Sequence, residues 1–73
     1  GCVIGPFSQI MHNVKIGNFV NLSGTVVGNS TIIGNNCSIG NGCKIGSGVV
    51  IVDNVIVKEN TIIPSGAVVS ANN

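Results

Sequence analysis

Charge is what this sequence has least of. Among its 73 residues Lys and Arg number 3 and Asp and Glu 2, so charged residues make up 7%, against roughly 25% in ordinary proteins. A formal net charge of +1 leaves no electrostatic footprint for nucleic acid or an anionic membrane surface. Trp and Tyr are absent and aromatics amount to 3%. Long hydrophobic runs are missing too. No stretch approaches the ~18 apolar residues of a membrane-spanning helix, because Gly, Asn and Ser interrupt every few positions. No basic segment precedes an apolar one as in a secretory signal, so a cytoplasmic location is expected. Histidine occurs once. One imidazole with scattered thiols does not supply the grouped ligands of a zinc site, so no metal is expected.

What the sequence does have is a period of six. Branched aliphatics stand at Ile4, Ile10, Ile16 and Leu22; after a step one residue short they resume at Val27, Ile33, Ile39, Ile45, Ile51, Val57, Ile63 and Val69. The residue two before each is small or β-branched: Cys2, Ser8, Val14, Val20, Thr25, Thr31, Cys37, Cys43, Val49, Val55, Thr61 and Ala67. Two inward positions separated by one outward residue are strand alternation. Repeating that unit every six residues demands a turn in every hexad. Three residues past the aliphatic stand Asn13, Ser30, Asn36, Gly42, Gly48, Asn54, Asn60, Gly66 and Asn72. Gly and Asn accept a left-handed backbone at low cost.

Each hexad is therefore a short strand closed by a corner, and three hexads complete a triangular coil. Residues 1–73 form a single all-β domain: a parallel β-helix of hexapeptide repeats with about four coils, stacked ~4.8 Å apart. No segment carries the i, i+3, i+4, i+7 spacing of an amphipathic helix. Stability comes from each repeat burying its aliphatics against its neighbours. All three cysteines take the small inward position and read as buried, reduced core filler. Cys37 and Cys43 fall on different faces, and Cys2 and Cys37 lie two coils apart, roughly 10 Å, too far for a disulfide. Gly34-Asn35-Asn36 and Gly40-Asn41-Gly42 look like phosphate-cradling loops but lack the strand-to-helix context such loops need; they are corners.

The one residue that does not fit a purely structural code is His12, on a corner two past Ile10. The stretch Ile10-Met11-His12-Asn13-Val14-Lys15-Ile16-Gly17-Asn18-Phe19-Val20 resembles a motif of the hexapeptide-repeat sugar O- and N-acetyltransferases that include the sialic-acid and bacillosamine enzymes. The likeness extends to Ile63-Pro64-Ser65-Gly66-Ala67-Val68-Val69. It implies a left-handed coil, against the usual right-handed crossover preference. It also implies acetyl transfer from acetyl-CoA to a hydroxyl or amine of a sugar or nucleotide-sugar, by direct attack. A nucleophile attacking a thioester must lose a proton, which imidazole accepts near neutral pH. His12 is then the general base, with Asn13 beside it where relatives carry an acid. Asn21 stands where relatives have a second histidine and is counted with the acetyl-CoA contacts. The backbone N–H that meets the developing oxyanion falls at Asn29 or Gly28, the short step leaving the register open. No residues correspond to the N-terminal nucleotide-binding-like domain of that family, so the chain reads as the core, or a fragment, of a longer transferase.

The residue before each aliphatic points outward. One face then reads Lys15, Ile32, Val50 and Val68; the others, Val3, Asn21, Ser38, Ile56 and Gln9, Val26, Lys44, Ile62, are mixed. An apolar ladder is a candidate interface, and the family's habit implies a homotrimer through Ile32, Val50 and Val68. Two other functions compete. A non-catalytic trimerising module would keep the fold without the chemistry. A β-helical metalloenzyme of the γ-class carbonic anhydrase type needs three histidines per site. An ice-binding helix would show outward Thr ladders, whereas Thr25, Thr31 and Thr61 point inward.

Overall fold

The computed structural model describes residues 1–70 and contains twelve two-residue strands. They are β1 (Val3–Ile4), β2 (Gln9–Ile10), β3 (Lys15–Ile16), β4 (Asn21–Leu22), β5 (Val26–Val27), β6 (Ile32–Ile33), β7 (Ser38–Ile39), β8 (Lys44–Ile45), β9 (Val50–Ile51), β10 (Ile56–Val57), β11 (Ile62–Ile63) and β12 (Val68–Val69). No helix occurs among the described residues. Three four-stranded parallel sheets form the faces: β1-β4-β7-β10, β2-β5-β8-β11 and β3-β6-β9-β12. The result is a β-solenoid of about four turns, consistent with a left-handed β-helix. The inward rows align in register, as in Ile16↔Ile33↔Ile51.

Two hydrogen-bond systems of opposite sense hold the coils together. Strand N–H groups donate to the next coil, as Lys15 N–H does to Thr31 O at 3.0 Å. Corner N–H groups donate back to the previous one, as Ser30 N–H does to His12 O at 3.0 Å. Inward hydroxyls and thiols other than that of Ser8 donate in a third row. Thr31 Oγ1 donates to Gly46 O (2.8 Å), Cys37 Sγ to Val52 O (3.1 Å) and Cys43 Sγ to Lys58 O (3.1 Å). These bonds offset the cost of burying Thr25 and Thr31 completely.

The core runs along the axis through Val20, Leu22, Val27, Ile33, Cys37, Ile39, Cys43, Ile45, Val49, Ile51, Val55, Val57 and Ile63. Burial of both inward rows fails at the ends. Cys2, Ile4 and Ile10 are exposed, and Ser8, Val14, Ile16, Thr61, Ala67 and Val69 are half-buried. An inward side chain in a solenoid is covered by the coil above and the coil below, and those of an end coil have a neighbour on one side only. The thiol of Cys2 is therefore accessible and donates to Gly17 O at 2.9 Å. All three cysteines are free.

The corner code holds at Asn13, Ser30, Asn36, Gly42, Gly48, Asn54, Asn60 and Gly66, all with positive φ; Asn72 lies outside the described residues. It also extends to two residues the composition does not suggest. Phe7 (φ 65°) and Phe19 (φ 60°) occupy the same corner position with their rings exposed. A side chain with a Cβ is strained there by roughly 1–2 kcal/mol. The short step is absorbed at Ser23-Gly24, where Gly24 turns the chain at φ 53°. It separates coil 1 from coil 2 by 17 residues on the second face (Gln9↔Val26), where later coils are 18 apart (Val26↔Lys44). Near it, Thr25 Oγ1 lies within hydrogen-bond distance of both Ser23 O (2.9 Å) and Gly40 O (3.1 Å), and the hydroxyl oxygen of Ser8 is buried without a partner.

A second set of glycines, Gly5, Gly17, Gly28, Gly34, Gly40 and Gly46, directly follows six of the inward aliphatics, and it is steric. A Cβ on Gly28 would come within 2.6 Å of the Gly46 carbonyl carbon, and one on Gly46 within 2.5 Å of Ser65 N. At these glycines the coil below approaches too closely for a side chain without a local shift. Met11, Ser23 and Val52 interrupt the set, and on the last turn Lys58 and Pro64 do, beneath which no described coil stacks.

Candidate functional site

The corner between the second and third faces carries one column of outward residues from coil to coil: His12, Asn29, Ser47 and Ser65. His12 N–H donates to Asn29 Oδ1 at 3.0 Å, and Ser30 N–H closes the same step onto His12 O at 3.0 Å. Asn29 therefore lies directly beneath His12, which resolves the register that the short step left open. His12 is exposed, and its imidazole makes no hydrogen bond to any described residue. Asn13 follows at φ 62°, so it holds the corner in the left-handed conformation that Asn tolerates well.

The two candidate oxyanion donors differ sharply. Gly28 N–H is committed to the ladder, donating to Ile45 O at 2.8 Å. Asn29 N–H is not. In the same column His12 N–H donates to Asn29 Oδ1 and Ser47 N–H to Ser65 Oγ (3.1 Å). Between the third and first faces Asn18 N–H reaches Asn35 Oδ1 (2.8 Å), and Asn35 N–H reaches Asp53 Oδ1 (2.7 Å). At Asn29 the next residue down is Ser47, and its hydroxyl does not take up the bond. An unpaired backbone donor thus sits one coil below the only imidazole.

His12, Asn13, Gly28 and Asn29 gather on this corner, but Asn21 does not join them. It is the outward residue of β4 on the first face, in register with Val3 and Ser38, and that face lies opposite the His12 corner of the triangle. Among the described residues no three His, Cys, Asp or Glu side chains are grouped to hold a metal ion. A shallow apolar concavity lined by Ile56, Val57, Lys58, Thr61, Ile63 and Val69 lies at the other end of the solenoid. It is the open underside of the inward rows. The unpaired Asn29 N–H is invisible in the sequence, since it depends on which residue stacks beneath it. It departs from the Asn-Asn-Asp ladder at the neighbouring corner, as Asn41 N–H above Glu59 also does, and what sets it apart is its place beneath His12.

On the third face Ile32 and Val68 are exposed and Val50 is half-buried. Apolar exposure is not confined to this face, as Val3, Ile56 and Ile62 are exposed elsewhere. Only here do three aliphatics follow one another from coil to coil, in register. Asn21 and Ser38 interrupt the first face and Lys44 the second.

Residues 36–71 match the family described as Bacterial transferase hexapeptide (six repeats). That stretch, just under half of the chain, corresponds to the third and fourth coils and is what the chain shares with the hexapeptide-repeat transferases. No curated protein matches it.

Proposed function

We propose that the chain is the β-helical part of an acyltransferase in which His12 is the general base. The acyl donor in this reading is acetyl-CoA and the acceptor is a hydroxyl or amine of a sugar or nucleotide-sugar. The observation that carries it is the pairing on one corner of an exposed imidazole with the unpaired N–H of Asn29 beneath it. Acyl transfer needs those two elements. A base removes the proton of the attacking group, and a fixed donor meets the charge that develops on the thioester oxygen. The attack forms the new C–O or C–N bond, the thiolate of CoA leaves, and the proton held on His12 passes to it. Asn29 is preferred to Gly28 as the donor because the Gly28 N–H is already bonded to Ile45 O.

Assembly as a homotrimer through Ile32, Val50 and Val68 belongs to the same proposal. It would lay a second subunit along the face that begins at the His12 corner and enclose a cleft there. Holding both substrates in such a cleft lowers the barrier by removing the entropy of bringing them together. One observation favours a second reading, a trimerising module without chemistry. Among the described residues no carboxylate or carbonyl orients the His12 ring, and Asn13 already serves the corner. Titration of the purified chain with acetyl-CoA separates the two. Saturable binding that perturbs the Asn29 amide supports the transferase, and absence of binding supports the module.

A further inference from the structure

The few charges are distributed unevenly over the solenoid. Residues 1–43 contain one charged side chain, Lys15, and it lies three residues from the only histidine. Lys15 is the outward residue of β3, exposed, and the first residue of the face that opens at the His12 corner. Three residues of chain put the two Cα atoms about 10 Å apart at most. Among the described residues no carboxylate pairs with the ammonium. The residue in register beneath Lys15 is Ile32, and the corner column offers only neutral Asn29, Ser47 and Ser65. The two carboxylates, Asp53 and Glu59, stand on the other two corners on either side of β10. Those positions are a little over two coils away, ~10–12 Å along the axis, at or beyond the ~8–10 Å over which exposed charges act at physiological salt.

We propose that Lys15 reads the charge of the acceptor. Its ammonium holds a phosphate or carboxylate on the sugar whose hydroxyl or amine faces His12. This deepens the acyl-transfer reading and rests on it. A sugar bearing such a group bridges the span from Lys15 to His12, so one contact both binds the acceptor and aims it. An uncharged sugar lacks that anchor.

The test is a titration of the isotope-labelled chain at low salt, followed by backbone amide signals, with glucose 1-phosphate, glucuronate and glucose as probes. The charged sugars should shift the His12, Lys15 and Asn29 signals saturably, and glucose should not. Lys15→Met should weaken the charged sugars about tenfold, the scale of one lost ion contact, while Lys15→Arg retains most of the binding. Lys44→Met, which removes a lysine from the second face two coils on, should change nothing. Response to the phosphate alone or the carboxylate alone names the group that is read. Equal binding of glucose, indifference to Lys15→Met, or no binding of any probe overturns the proposal. Failure of the two ideas is distinguishable. Charged sugars bound at Lys15 without acetyl-CoA binding would end the transferase reading and leave the anion site. Acetyl transfer with equal kcat/KM for charged and neutral acceptors, unmoved by Lys15→Met, would end the anion site and leave the transferase.

Discussion

Ile33→Ala and Ile10→Ala remove the same atoms from the same repeat position, and the solenoid predicts very different costs. Ile33 is 1% exposed, enclosed by Ile16 above and Ile51 below. Truncation there leaves a cavity that the two fixed neighbouring coils cannot close, so the loss belongs in the upper part of the 2–5 kcal/mol range, about 4 kcal/mol. Ile10 is 37% exposed and has only Val27 beneath it in its row. Solvent already reaches that side chain and fills the space it leaves, so about 1–2 kcal/mol is expected. A chain of this size has roughly 4–11 kcal/mol in total, so the first substitution removes a large share and the second a modest one. In urea, with a slope of about 1 kcal/mol per molar, the midpoints should differ by roughly 2 M. Equal midpoints, or a larger loss for Ile10→Ala, would refute the view that stability is carried by coil-on-coil burial.

Phe19→Asn should raise the urea midpoint by about 1 kcal/mol equivalent, because Asn relieves the left-handed strain at an exposed ring; a lower midpoint would mean the ring packs against something. Native alkylation followed by mass spectrometry should label Cys2 rapidly and leave Cys37 and Cys43 unlabelled until unfolding, and labelling of all three at one rate would contradict the burial pattern. If the proposed trimer forms, Val50→Lys should convert it to monomers by sedimentation at tens of micromolar, and a wild-type monomer under those conditions removes the interface.

The fold was legible because a solenoid converts a one-dimensional period into a three-dimensional one. The aliphatic row, the small row and the outward faces could each be read by counting in sixes. What could not be read was whatever depends on stacking. Cys2 and Ile4 carry the same code as Cys43 and Ile45 but lie on an end coil, so an identical pattern gives a different burial. Phe7 and Phe19 obey the corner position rather than the corner composition. Nothing in a phenylalanine announces a positive φ; the hexads on either side impose it. The glycines that follow half of the inward aliphatics are fixed by the backbone one coil below, which linear reading does not see. The site divides in the same way. His12 is conspicuous as a lone imidazole, whereas which of Gly28 and Asn29 keeps a free N–H depends on the ladder. Asn21 was grouped with His12 by resemblance and is separated from it by the geometry of the triangle.

The central claim is that the His12 corner performs acyl transfer, and the direct measurement compares acetyl transfer by the wild type and His12→Ala under saturating acetyl-CoA. A base acts in the transition state more than in the ground state, and His12 is exposed and carries no part of the core. His12→Ala should therefore lower turnover by at least about a hundredfold while acetyl-CoA binding and the urea midpoint stay unchanged. Wild-type turnover in His12→Ala would contradict the account outright.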